Sequence, residues 1–220
     1  MLPGALQRIC PDCPPERLTS ALALPPQQAL DLALGRDADA PERDLFQSAL
    51  DEAAQAHAEA TPGALDALQS LHQRGVPCAW LDELPNATTL HLAAALDDHL
   101  ATGLDIAGRQ WPAPDSCWQA LMQLGTPLLD GCVLVSGQPR LLQAGLNAGL
   151  WTIGLAASGP LCGRAPGDWD ALGNLDRDRL RAQATLGLYR LGVHSVIDHL
   201  GELDSCLQDI ASRRLKGEKP

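Results

Sequence analysis

Gly131-Cys-Val-Leu-Val-Ser-Gly-Gln-Pro-Arg-Leu-Leu-Gln-Ala-Gly-Leu-Asn-Ala-Gly-Leu-Trp-Thr-Ile-Gly154 reads as strand, helix, strand. Cys132 to Val135 is an unbroken apolar run, and the strand is assigned to Gly131–Ser136. Gly137-Gln-Pro139 then breaks it, and Arg140 to Leu146 carries helical spacing. A second apolar run, Trp151 to Leu155, follows Gly149. Two apolar strands joined by a short helix pair in parallel through a crossover. Downstream the pattern repeats, with a long helix from Leu175 to Leu191, a strand Ser195-Val-Ile-Asp198 and a last helix from Leu203 to Arg214. Upstream, Thr61 as N-cap and Pro62 at the first helical position predict the start of a helix running to Arg74. Val76 to Leu81 predicts a buried strand, Asn86 to Leu100 a helix, Gly103 to Ala107 a short strand and Asp115 to Leu124 a helix. Strand–helix alternation after residue 75 predicts an α/β fold with a doubly wound parallel sheet.

The first quarter differs. Leu6, Ile9 and Cys10 begin a short helix that Pro11 and Pro14-Pro15 interrupt. Gln27 to Leu34 is another apolar stretch, and Gly35 to Pro41 is a polar loop. Leu45, Leu50, Ala53, Ala54 and His57 then line one face of a long helix. Strand alternation does not occur before residue 75. The expected organisation is a helical cap over 1–60 and a Rossmannoid core over 61–220.

Composition narrows the function. The 220 residues are 45% hydrophobic but only 3% aromatic, so Leu, Ala and Val must fill the core. The net charge of −11 would repel a nucleic acid or an anionic membrane. The two lysines, Lys216 and Lys219, lie in the tail, so lysine chemistry in the body is excluded. No apolar run is long enough for a membrane span and the first residues lack signal-peptide regions, so a cytoplasmic protein is expected. The seven cysteines then read mainly as small hydrophobes.

Gly145-Leu-Asn-Ala-Gly-Leu-Trp-Thr-Ile-Gly154 resembles the G-x-N-A-G-M-W-T-x-G run of the phosphonoacetaldehyde hydrolases, a branch of the haloacid dehalogenase (HAD) superfamily. Gly192-Val-His-Ser-Val-Ile-Asp198 is similar to their G-A-H-Y-V-I-D, and Thr61-Pro-Gly-Ala-Leu65 with Gly75-Val76 to the helix before their second motif. The resemblance covers roughly residues 45 to 220. It implies a HAD-like parallel-sheet core with a helical cap, and a homodimer formed through that cap. It also implies a site in which a carboxylate attacks phosphorus, a hydroxyl and a cation hold the phosphate oxygens, and acids hold Mg²⁺. A cap lysine would form a Schiff base with the aldehyde.

Set against that site, this chain departs at each element. The nucleophile motif Asp-x-x-Gly-Thr and its strand would precede Met1, a loss that an upstream start could explain. At the hydroxyl-rich second motif stand Trp80, Leu81 and Asp82, and the acidic Asp82 and Glu83 would repel phosphate. At the third, Ala107-Gly-Arg109 is kept, but two extra residues separate Arg109 from Pro112-Ala-Pro114. At the fourth, Gly137 and Leu141 replace the two metal-binding acids, and neither offers the hard oxygen that Mg²⁺ takes. The lysine position falls near Pro25. No cofactor is therefore expected, and Mg²⁺ least of all.

Smaller constellations weigh less. Asp37-x-Asp39 imitates a nucleophile motif but reads as a solvated acidic loop. Cys10-Pro-Asp-Cys13 could bind zinc with two further ligands or cycle as a dithiol, the default being two ordinary cysteines. Asp82 and Glu83 end a predicted strand at the sheet's carboxyl edge and could form a rewired acid/base pair, though a charged loop or a helix cap is the default. Ser136 and Gly137 start a helix whose amides could hold an anion, against a plain turn. His194 is expected to be structural, and Trp111 and Trp118 to pack or to line a pocket. The expectation is a catalytically inactive binding or regulatory protein. Its ligand would be a small anion or a protein, bound near Arg109, Asp82, Glu83, Ser136 and Gly137. The alternative is a HAD-type hydrolase of a phosphorylated or phosphonate small molecule, working through a rewired site or a missing N-terminal segment.

Overall fold

The computed structural model describes residues 1–96, 100–101, 108–162, 169 and 171–220. The chain divides into two compact units, one of Met1–Glu59 with Trp80–Asp97 and the other of Ala60–Ala79 with Asp98–Pro220. Sequence reading placed everything after residue 60 in the core. The unit built on the first helices also takes in the segment that begins at Trp80.

The first unit is helical: α1 (Leu2–Ile9), α2 (Pro15–Ala21), α3 (Pro26–Leu34), α4 (Ala40–Ala56) and α6 (Asn86–Ala93). Proline stands at the first or second helical position of α1 to α4, where its missing N–H costs nothing. Gly35 stops α3 in the left-handed conformation, at φ 73°. Asp39 starts α4 with a capping box: its carboxylate accepts from the Glu42 amide at 2.9 Å, and Glu42 accepts from the Asp39 amide at 2.9 Å. So Asp39, half of the apparent nucleophile motif, is a helix cap. Leu6, Leu30 and Leu50 are fully buried among alanines and Phe46, each contributing about 1.5–3 kcal/mol of burial. Packing of α6 on α4 encloses a polar contact, in which the buried Thr88 hydroxyl and Gln47 Nε2 both donate to Asp51 Oδ1.

The second unit is an α/β layer structure. Its elements are α5 (Ala64–Gln73), β1 (Cys78–Ala79), β2 (Leu100–Ala101), α7 (Asp115–Gln123), β3 (Val133–Ser136), α8 (Pro139–Ala148), β4 (Trp151–Leu155), α9 (Asn174–Arg190), β5 (Ser195–Ile197) and α10 (Leu203–Leu215). A 3₁₀ turn, Leu200–Glu202, leads into α10. Every strand pair is parallel. β4 lies between β3 and β5, with Val133 opposite Trp151 and Ile153 opposite Ser195. β1 pairs with β2 in a separate sheet, Cys78 opposite Leu100. One core cluster joins Trp151, Ile153 and Ile197 to Leu203, Cys206 and Ile210 of α10, with Ala67 and Leu71 of α5 packed against it. Another joins Leu142 of α8 to Ala184 and Leu188 of α9. β4 is thus covered on both faces, which is why its sequence is continuously apolar.

Three expectations change. α5 is preceded not by a Thr61 cap but by Gly63 at φ 76°, with no side-chain cap bond. A Cβ on Gly63 would lie 2.2 Å from the Gly201 amide nitrogen, so backbone packing against Gly201 fixes this turn. The Val76–Leu81 strand shrinks to Cys78–Ala79, because Asp82 and its neighbours are held by local side-chain bonds instead of a ladder. Helix α6 stops at Ala93, and Leu100 is in strand β2 rather than at the end of that helix. The strand expected at 103–107 lies outside the described residues. No described helix is long and apolar enough to cross a membrane.

Candidate functional site

Parallel α/β sheets expose their ligands' ground at the carboxyl ends of the strands. At the end of β3, Ser136 is buried, and its Oγ accepts the Gln138 amide at 3.0 Å. Gln138 caps α8 in turn, its side-chain oxygen accepting the Arg140 amide at 3.5 Å. Two of the amides that an anion would use at this helix start therefore already have partners within the chain.

Gly137 faces the turn that follows β4. A Cβ built on it would lie 2.4 Å from Gly159 Cα, 3.0 Å from Pro160 Cδ and 3.2 Å from the Leu155 carbonyl oxygen. The same approach seen from Gly159 puts its Cβ 3.0 Å from Gly137 Cα, and 2.2 Å from the Leu155 carbonyl oxygen. The two glycines meet backbone to backbone in the space that an acidic side chain at 137 would need. Leu141, at the second acidic position of the resembled motif, is 5% exposed on α8. Among the described residues, no three His, Cys, Asp or Glu side chains gather closely enough to share a metal ion. Gly137 and Leu141 do not fit Mg²⁺.

Arg109 pairs with Asp115 in the first turn of α7, its Nη2 3.0 Å from Oδ2 and its Nε donating at 3.2 Å. The guanidinium holds the Asp115 carboxyl below its ordinary value. Arg109 still keeps 73% of its side chain exposed. The loop after it is fixed to α8: Arg140 donates to the Trp111 carbonyl, and Asn147 Nδ2 donates to the Pro112 carbonyl at 2.8 Å. Trp111 is buried, its indole N–H donating to Ser116 Oγ at 2.9 Å. Trp118 is partly exposed and donates to the Ala148 carbonyl at 3.3 Å. Trp111 thus packs as its default reading has it, and Trp118 is anchored to the end of α8.

Asp82 and Glu83 belong to the other unit. Both Asp82 oxygens are engaged: Oδ1 accepts the Leu84 amide at 3.0 Å, and Oδ2 accepts the Thr89 hydroxyl at 2.7 Å and the Trp80 indole N–H at 2.5 Å. Asp82 therefore ties the turn before α6 to that helix's first turn, and Glu83 is half-buried beside it. These three accepted bonds give Asp82 a role in the loop before α6, one of the defaults that the sequence offers.

The run with the strongest sequence signature has a packing role. Trp151 is fully buried, with the Arg213 guanidinium 4.8 Å from its ring centroid and the His194 ring 4.8 Å away. His194 Nδ1 accepts the Thr152 amide at 3.0 Å, and the His194 amide returns a bond to the Thr152 carbonyl at 3.0 Å. Burial, then the nearby Arg213 charge, lowers the His194 pKa, in keeping with an Nδ1 that accepts a hydrogen bond. These contacts lie at the amino end of β4, opposite the rim where parallel sheets do chemistry. Sequence reading missed Gly159, although the Gly159-Pro160 pair is itself a turn signal.

No family model matches the chain. It is 30% identical over 167 residues to a phosphonoacetaldehyde hydrolase of Salmonella enteritidis, an alignment covering 72% of this chain and 61% of that protein. The chain thus spans less than two thirds of the length of the curated relatives it matches. A solved structure 63% identical in sequence superposes with a TM-score of 0.71, covering 76% of this chain and 86% of the other. A phosphonoacetaldehyde hydrolase-like protein from Oleispira antarctica, 23% identical, superposes with a TM-score of 0.77 over 88% of this chain and 74% of its own and shares the fold.

Proposed function

We propose that this chain, which belongs to the haloacid dehalogenase superfamily as a phosphonatase-like α/β protein, binds a ligand or partner without turning it over. The observation that carries the proposal is the Gly137–Gly159 contact. An acid at 137 would need its Cβ where the Gly159 backbone stands, 2.4 Å away. Leu141 is buried, so the second acidic position also supplies no oxygen. Without those ligands Mg²⁺ is not held at this rim, and phosphoryl chemistry loses its main source of charge neutralisation. Catalytic groups that act as a unit leave little rate when several are gone.

The bound species is a small anion or a protein. Arg109 is the cationic candidate, since most of its side chain remains exposed beyond its pair with Asp115. By likeness to the phosphonoacetaldehyde hydrolases, the helical unit is the proposed seat of a homodimer contact. The net charge of −11 speaks against nucleic acid and anionic membranes as partners.

The rival reading is a HAD-type hydrolase of a phosphorylated or phosphonate small molecule, using a rewired site or a segment that a longer form would supply. A screen with phosphonoacetaldehyde and p-nitrophenyl phosphate, with and without added Mg²⁺, separates the two. The expected result is no turnover above buffer. Mg²⁺-dependent turnover abolished by Asp82→Asn or Arg109→Ala would establish the hydrolase and overturn the binding-only reading.

A further inference from the structure

Cys10 and Cys13 flank the break between α1 and α2, in the unit that the proposed ligand site at the β3 rim does not include. Cys10 closes α1, its amide bonded to the Leu6 carbonyl at 2.8 Å. The Cys13 amide then bonds to the Cys10 carbonyl at 3.1 Å, which folds Pro11-Asp12 into a turn. Such a turn brings its end Cα atoms within about 7 Å, close to the roughly 4.4–6.8 Å that a disulfide spans, and the Cys13 thiol interacts directly with that of Cys10. Both residues are half-buried, unlike the buried Cys117, Cys162 and Cys206.

We propose that Cys10 and Cys13 are a reversible thiol–disulfide site that reacts with low-molecular-weight disulfides. Zinc is not the occupant, because among the described residues no third or fourth ligand joins the pair. The two thiols differ in role. Burial, and then the neighbouring Cys13, raises the Cys10 pKa, and its S–H donates to the Ala33 carbonyl at 3.5 Å. The Cys13 S–H lies farther from its own acceptor, the Pro14 carbonyl at 3.8 Å, so Cys13 is assigned the entering role and Cys10, held as S–H by Ala33, the resolving one.

The exchange balances in two steps. The Cys13 thiolate attacks one sulfur of a glutathione disulfide; the S–S bond of the reagent breaks, and one glutathione thiolate leaves. Cys10 then gives its proton to solvent and attacks the Cys13 sulfur, releasing the second glutathione thiolate. The pair is oxidised by two electrons and the reagent reduced by two. The Ala33 carbonyl, in the last turn of α3, loses the S–H donor when the bond closes.

The test uses the full chain and glutathione disulfide, followed by alkylation, trypsin and mass spectrometry. Cleavage after Arg8 and Arg17 releases a peptide, residues 9–17, that contains Cys10 and Cys13 and no other cysteine. The expected product is this peptide two hydrogens lighter and unalkylated, restored by dithiothreitol. Cys10→Ser should stop at a stable glutathione adduct on Cys13, and Cys13→Ser should react more slowly at position 10 than Cys10→Ser does at position 13. A peptide that stays fully alkylated, a wild-type adduct that never resolves, or a crosslink to another cysteine would each overturn the proposal. None of these readouts depends on whether the β3 rim binds a ligand.

Discussion

Adding a single methyl group at Gly137 should destabilise the protein, and an acid there should restore nothing. The Cβ of Gly137→Ala would sit 2.4 Å from Gly159 Cα, against a comfortable carbon–carbon separation of about 3.5–4.0 Å. The neighbour is backbone, so the turn after β4 must move by roughly 1 Å, which is overpacking of the kind that costs about 1–3 kcal/mol. For a chain of this size each kcal/mol lowers Tm by about 2–4 °C, so a fall of roughly 3–10 °C is expected. Gly137→Asp should fall at least as far, since its carboxylate would also stand beside the Leu155 carbonyl oxygen. Thermal melts of wild type, Gly137→Ala and Gly137→Asp with and without 10-fold steps of Mg²⁺ measure both effects. A bound ion would raise Tm by mass action, and no such rise is expected in either variant. A Gly137→Ala protein melting within about 1 °C of wild type would refute the packing argument. A Gly137→Asp protein stabilised by Mg²⁺ would refute the claim that packing against Gly159 leaves no room for an acid at 137.

Asp82→Ala should cost about 2–3 kcal/mol in urea unfolding, because it leaves the Leu84 amide, the Thr89 hydroxyl and the Trp80 indole without their acceptor, and Asp82→Asn should cost less. Equal midpoints for Asp82→Ala and wild type would contradict the structural role given to this carboxylate. Glu42 supplies the pH dependence. Its bonds to Arg36, and then to the Asp39 amide, lower its pKa from 4.5 to about 2. A lowered carboxylate stabilises the fold fully above the unfolded value near 4.5, and that contribution is lost as pH falls through about 2. Urea midpoints followed through this window should therefore drop less steeply in Glu42→Gln than in wild type, and parallel curves would count against the capping box as an acid-sensitive element.

Much of the fold was legible because β4 and its neighbours are governed by local, repetitive physics. A strand buried on both faces reads as an apolar run, and β3, β4 and β5 stand within a residue or two of where Gly131–Ser136, Trp151–Leu155 and Ser195–Asp198 predicted them. Helices α7 to α10 followed from the spacing of their apolar residues. The short strands were harder. β1 and β2 have two residues each, too few for any period, and their existence depends on each other's backbone. The start of α5 was misread because Thr61-Pro62 carries a strong local signal, and contact with Gly201, far along the chain, overrides it.

The amino acids by themselves determined the family likeness and the loss of oxygen ligands at positions 137 and 141, because side-chain chemistry is fixed by residue identity whatever the fold. They also settled the parallel α/β class, since hydrophobic periodicity is local. Only the tertiary structure decided what the candidate residues do. Asp82 holds a turn through three accepted hydrogen bonds, Arg109 is paired with Asp115, and Ser136 accepts the Gln138 amide. It also decided that Gly137 is more than a missing acid. The space for one is filled by Gly159, a residue brought there by the turn after β4, and steric exclusion between distant segments leaves no mark in either segment's own sequence.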